Sequence, residues 1–118
     1  MGKSGSPGKL AVSTEEVGDA TVVRLEGELD LHGSPGLRGR LKELAREERP
    51  LIVVDMAGVP YIDSSGVATL VECLQGVSRY GGTLRLAALG QRARGVFEIS
   101  RLDTVFDIRP NLEEALQG

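Results

Sequence analysis

Leu51-Ile52-Val53-Val54-Asp55-Met56-Ala57-Gly58-Val59-Pro60-Tyr61-Ile62-Asp63-Ser64-Ser65-Gly66-Val67-Ala68-Thr69-Leu70-Val71-Glu72-Cys73-Leu74 decides the fold of this 118-residue chain. Its first four residues are leucyl or β-branched with no polar alternation, which suits a strand buried on both faces of a parallel sheet. From Val67 the apolar residues recur at Leu70, Val71, Leu74 and Val77, the spacing of a helix with one buried face. Between strand and helix, Asp55 and a turn segment through Gly58 and Pro60 lead to the tetrad Asp63-Ser64-Ser65-Gly66. Asp63, Ser64 and Ser65 are all residue types whose short side-chain oxygens accept from the unpaired N–H groups of a helix start. Two hydroxyls therefore stand at the exposed beginning of a helix.

Working outward, Tyr80-Gly81-Gly82 reads as a helix stop and Thr83 to Ala88 as a second apolar strand. Residues 51 to 88 thus form a strand-helix-strand unit with parallel strands and a right-handed crossover. Downstream, Ala93, Val96 and Phe97 share a helical face within residues 91 to 101, and Val105 to Ile108 is a short strand. Asn111 with Glu114 three residues on starts a last helix carrying Leu112, Ala115 and Leu116. Upstream, Leu10 to Ser13 and Thr21 to Leu29 read as antiparallel neighbours joined by a Glu-Glu-Val-Gly-Asp turn, with Val23 and Leu25 facing away from Arg24 and Glu26. Ser34 is positioned to cap a helix that has Pro35 in its first turn, buries Leu37, Leu41 and Leu44, and ends before Pro50. The expected fold is a single small α/β domain, a mixed sheet of roughly four to five strands with about four helices. Residues 1–9 are expected to be a flexible N-terminal arm and residues 10–118 the domain.

Composition narrows the function. A formal charge of −3, no tryptophan and four aromatics offer neither an electrostatic footprint nor a stacking platform for nucleic acid, so a protein partner is expected. No apolar run approaches the roughly 18 to 20 residues of a membrane span, and the polar start lacks the core of a signal peptide; a cytoplasmic protein without direct membrane insertion is expected. The single cysteine, Cys73, has no second cysteine for a disulfide or metal site. Gly2-Lys3-Ser4 lacks the preceding strand and first glycine of a phosphate-binding loop.

A serine hydrolase would need a base, and the only histidine is His32; neither Ser64 nor Ser65 has the glycine two residues earlier that a nucleophile elbow requires. A small serine hydrolase is a remote alternative. Asp30, His32, Asp55 and Asp63 are scattered without metal-ligand spacing, and Glu15-Glu16, Glu47-Glu48 and Glu113-Glu114 read as charged surface. No metal and no cofactor are expected, and the bare tetrad reads first as a helix cap.

The whole pattern, however, resembles the STAS domain, and most closely the bacterial anti-sigma-factor antagonists. The resemblance covers about residues 10 to 117. It rests on Gly27-Glu28-Leu29-Asp30, the strand 51 to 54, Tyr61-Ile62-Asp63-Ser64-Ser65-Gly66-Val67, the Gly81-Gly82 break, and the stretch from Phe97 to Phe106. Ala68 stands where the family usually has glycine two residues after the tetrad glycine, keeping the position small. The resemblance implies a non-enzymatic module that binds an anti-sigma factor with serine-kinase activity. It further implies that the acceptor of phosphate is the second tetrad serine, Ser65, with Ser64 as the neighbouring alternative, and that a serine phosphatase resets the switch. The same family contains regulatory or scaffold subunits of sensor complexes and membrane transporters, not necessarily phosphorylated, which is the alternative reading.

Position supplies a physical account. In such a sheet the strand-to-helix loops gather at one edge, so Asp30, Leu31 and His32 are expected beside Asp63, Ser64 and Gly66 in one partner-binding patch. Gly66 would let another backbone approach, and a phosphate on Ser65 would be tolerated by free N–H groups at the helix start while blocking the docked surface. For Asp30 a turn carboxylate, and for His32 a surface side chain, are the competing readings.

Overall fold

In the computed structural model, which describes residues 10–117, the apolar run of the opening stretch is the middle of a five-stranded sheet. The arm expected over 1–9 lies outside the described residues. The elements run β1 Ala11–Val17, β2 Ala20–Glu26, α1 Ser34–Arg46, β3 Leu51–Gly58, α2 Ser64–Arg79, β4 Thr83–Ala87, α3 Gln91–Ile99, a single 3-10 turn Leu102–Thr104, β5 Asp107–Arg109 and α4 Leu112–Ala115. The strand order is β1-β2-β3-β4-β5, antiparallel between β1 and β2 and parallel thereafter. This is the expected mixed α/β sheet with four helices.

Ile52, Val53 and Val54 are all fully buried, as an unalternating apolar strand requires. Ile52 and Val54 join the main core with Leu37, Leu41 and Leu44 of α1, Leu70, Cys73 and Val77 of α2, and Phe97 of α3. Val53 points to the opposite face, where it meets Ala87 and Ala115, so that the short α4 covers the sheet's second side. Phe97 and Phe106 close one end of the core edge to face, with ring centroids 5.4 Å apart.

Several element boundaries differ from expectation. The first turn is only Gly18-Asp19, with Gly18 at φ +61°, because Glu15 and Glu16 belong to β1. An edge strand tolerates carboxylates facing water, and these two pair with Arg24 and Arg49. The strand expected to reach Leu29 ends at Glu26, since Gly27 at φ +120° turns the chain. β3 continues past Asp55 to Gly58 rather than turning there; its ladder with β2 shifts register between Arg24 and Glu26, and Arg24 lies 3.7 Å from Asp55. β5 begins at Asp107, not Val105, which is exposed beside the 3-10 turn.

Ser34 does not cap α1. Gly33 holds that position, and the Ser34 hydroxyl donates to the Asp30 carbonyl at 2.6 Å. Asp30 supplies the missing acceptor: its Oδ1 takes the N–H groups of His32 and Gly33, an aspartate turn that leads directly into the helix. By contrast, Asn111 caps α4 as expected, accepting from Glu114 N at 2.8 Å. Gly81 at φ +81° ends α2, with Gly82 N–H donating to the Val77 carbonyl.

Candidate functional site

The loops leaving β2 and β3 run side by side beyond the ends of their strands. Gly27 N–H donates to the Gly58 carbonyl, Leu29 N–H to Tyr61, and Asp63 N–H back to Leu29, extending the parallel pairing through a bridge between Leu29 and Ile62. Both of these side chains are buried, which anchors the two loops to the core.

Asp63 then does two things with one carboxylate. Its Oδ1 caps α2 by accepting from Ser65 N at 2.9 Å and Gly66 N at 3.2 Å. Its Oδ2 accepts from Leu31 N at 3.2 Å, tying the neighbouring loop to the helix start. The seven positions expected at the site, from Asp30 to Gly66, are thus gathered at one edge of the sheet. Their roles inside the cluster differ. Leu31 is 66% exposed, His32 and Ser64 are exposed, Ser65 and Asp63 are half-buried, and Asp30 is turned toward its own loop amides.

Gly66 is buried, and the backbone that approaches it is the chain's own: a Cβ there would lie 2.5 Å from the Leu29 carbonyl oxygen. A shallow cavity of about 310 Å³ opens beside Ser65, lined by Leu31, Ser34, Pro35, Arg38, Ser64 and Ala68.

Three side chains near the site were not singled out from the sequence. Arg38 of α1 crosses to α2, with Nε 3.0 Å from Glu72 Oε1 and Nη2 donating to Thr69 Oγ1 at 3.3 Å. Thr69, buried, in turn donates to the Ser65 carbonyl at 3.0 Å. Tyr61 lies at the rim with the Arg92 guanidinium 5.8 Å from its ring centroid. For Thr69 the signal was present in the spacing, because Ser65, Thr69 and Glu72 follow i, i+4, i+7 on one helical face.

Among the described residues no hydrogen bond joins the His32 ring to either serine hydroxyl, and no cluster of three or more His, Cys, Asp or Glu gathers to hold a metal. Burial pushes the Cys73 thiol up to about 12, leaving it protonated and unreactive at neutral pH. No helix among the described residues is long and apolar enough to cross a membrane.

The STAS domain model matches residues 11–115. The anti-sigma-B factor antagonist of Bacillus subtilis (strain 168) is 33% identical over 95 residues, spanning 80% of this chain and 86% of that protein. An anti-sigma factor antagonist from Mycobacterium paratuberculosis has the same fold, with a TM-score of 0.86 at 24% identity and 94% of each chain covered. SpoIIAA in its unphosphorylated form aligns with a TM-score of 0.78 at 26% identity, over 90% of this chain and 93% of that one. The phosphorylated form of this Bacillus cell fate determinant aligns at 0.72, also at 26% identity, over 90% and 96% of the two chains.

Proposed function

Because this chain belongs to the STAS domain family, we propose that it is an anti-sigma-factor antagonist: unphosphorylated, it binds an anti-sigma factor with serine-kinase activity and so releases the sigma factor. Phosphorylation of Ser65 ends that binding, with Ser64 the alternative acceptor, and a serine phosphatase restores it. The exchange takes place in the cytoplasm. Asp30, Leu31, His32, Asp63, Ser64 and Gly66 form the docking patch, the exposed ones by contact and the buried ones by holding its shape.

One observation carries this reading. Ser65 lies half-buried on the same rim as the 66%-exposed Leu31, and Asp63 locks the two segments together through Leu31 N. A hydroxyl so placed is accessible to a kinase when the patch is free and lies at the contact when the patch is occupied. A phosphate adds about −1.5 to −2 charges there. A penalty of about 2.8 kcal/mol, within reach of one uncompensated charge at an interface, weakens binding about 100-fold.

The test is binding to the anti-sigma factor encoded in the same genome. Ser65→Ala is expected to bind and to take up no phosphate from ATP, and Ser65→Asp to bind about 100-fold more weakly or not at all. Label that persists in Ser65→Ala and disappears in Ser64→Ala would move the acceptor to Ser64. Undiminished binding by Ser65→Asp and by the phosphorylated protein would reject the switch.

A further inference from the structure

Two N–H groups expected to receive a phosphate on Ser65 are already taken. Those of Ser65 and Gly66 both donate to Asp63 Oδ1, so a carboxylate occupies the place where the helix would have met an added anion. A phosphomonoester beside it meets repulsion, and its charge of about −1.5 to −2 calls for a cation from another element. Among the described residues lining the cavity next to Ser65, Arg38 is the only charged one.

Arg38 is also positioned on the right track. Ser65, Thr69 and Glu72 form a ridge along α2, and the guanidinium from α1 holds its second and third members, Thr69 at 3.3 Å and Glu72 at 3.0 Å. The first member is the phosphate acceptor. Successive members of such a ridge are about 5 to 6 Å apart, a distance that a phosphate projecting from Ser65 and one arginine rotamer change together span. The present partner is also a weak competitor. Arg38 and Glu72 are 36% and 52% exposed, and an exposed pair of this kind holds loosely. A phosphate offers the guanidinium fork two oxygens and nearly twice the charge.

We propose that Arg38 is the receptor for the Ser65 phosphate: on phosphorylation its guanidinium leaves Glu72 and Thr69 and takes two phosphate oxygens, clamping the modified residue to α1. The inference rests on Ser65 being the acceptor. It assigns to Arg38 a role in the modified form that its contacts in the unmodified form do not require. Glu72 is released to solvent, while Thr69 keeps its bond to the Ser65 carbonyl.

The experiment uses the full chain with phosphoserine installed at position 65 during translation, so that no kinase is required. The second ionisation of the phosphate is followed by phosphorus NMR in the wild-type background, in Arg38→Met, in Arg38→Lys, and in Arg79→Met. Arg79→Met removes one positive charge at the far end of α2. The charged groups around the phosphate are Asp63 at the cap of its helix, Glu72 along that helix, Asp30 and His32 in the adjoining loop, and Arg38 on α1. His32 is retained in every variant, so the comparison isolates Arg38.

The second ionisation is expected at least about half a pH unit lower with Arg38 than with methionine, with lysine in between and Arg79→Met matching the wild type. Phosphorylated Arg38→Met is also expected to melt below phosphorylated wild type by more than the two unphosphorylated proteins differ. Identical ionisation in wild type and Arg38→Met overturns the clamp. Binding of each phosphorylated protein to the anti-sigma factor is measured alongside. Identical ionisation together with lost binding removes Arg38 and leaves the switch standing, whereas retained binding removes the switch whatever the ionisation shows.

Discussion

A methyl group added at Gly66 would lie 2.5 Å from the Leu29 carbonyl oxygen, 2.7 Å from Leu29 Cγ and 2.8 Å from Ile62 Cγ1. The first of these is backbone and the other two belong to buried side chains, so none can swing aside at low cost. Two effects compete in Gly66→Ala. Alanine improves helix propensity by up to about 1 kcal/mol. Against it, overpacking of a tight site costs about 1 to 3 kcal/mol. Any retreat of Leu29 also strains its bonds to Tyr61 and Asp63, and losing one such bond costs about 1 kcal/mol more. The balance is a net destabilisation of about 2 kcal/mol, which for a domain of this size lowers the melting temperature by about 8 °C.

The contrast is Gly39→Ala. Gly39 lies within α1, where a Cβ would meet nothing within 4 Å, so the propensity gain stands alone and the melting temperature should rise by up to about 4 °C. Both variants are read by circular dichroism during heating and by urea titration. Gly66→Ala melting level with the wild type or above it, with Gly39→Ala behaving as expected, would refute the claim that the two loops are packed in contact through this residue.

Asp63→Ala removes the acceptor for Ser65, Gly66 and Leu31 N–H groups and is expected to cost about 2 kcal/mol in urea unfolding, with Asp63→Asn intermediate because its amide oxygen still caps. Asp107 is held below the usual carboxylate range, first by its hydrogen bond from Arg109 and then by the charges of Arg109 and Arg85. Its contribution is therefore complete above the unfolded carboxylate value of about 3.9 and is lost as pH falls through the lower folded value. Acid titration of stability should accordingly show a shallower decline for Asp107→Asn than for wild type below about pH 4. Equal slopes would remove Asp107 from the account. Buried Cys73 should react with an aromatic disulfide reagent at pH 8 only as fast as the domain opens, and within the mixing time once unfolded in guanidinium; rapid labelling of the folded protein would contradict the packing of α1 on α2.

Period and apolarity made the frame of this fold legible. Ile52 to Val54 identified a doubly covered strand, the Val67 to Val77 spacing a one-sided helix, and Asn111 with Glu114 a helix start, because each depends on neighbours in sequence. One error fell where a distant group intervened. Glu15 and Glu16 read as a turn because their arginine partners come from β2 and the segment before β3; the misreading of Ser34 as a cap has a local cause instead, since Asp30 four residues earlier takes the His32 and Gly33 N–H groups. In the candidate site, the meeting of the two loops followed from the gathering of strand-to-helix loops at one edge of such a sheet. Asp63 was legible as a cap residue because its bonds to Ser65 and Gly66 N–H are local, whereas the bond from Leu31 N–H to its second oxygen, and the crossing of Arg38 to Thr69 and Glu72, depended on inter-element distances that no local pattern encodes.

The sheet is laid down in the order in which the chain is made, each strand adding to the outer edge of the one before it. No strand has to wait for a later partner to be inserted between itself and its neighbour, so loop closures stay short and assembly on the ribosome can proceed by accretion. The loops around Ser65 and the Arg38 crossing are contained between β2 and the end of α2. A nascent chain therefore holds every residue of the proposed docking patch before β5 extends the sheet and α4 covers its second face.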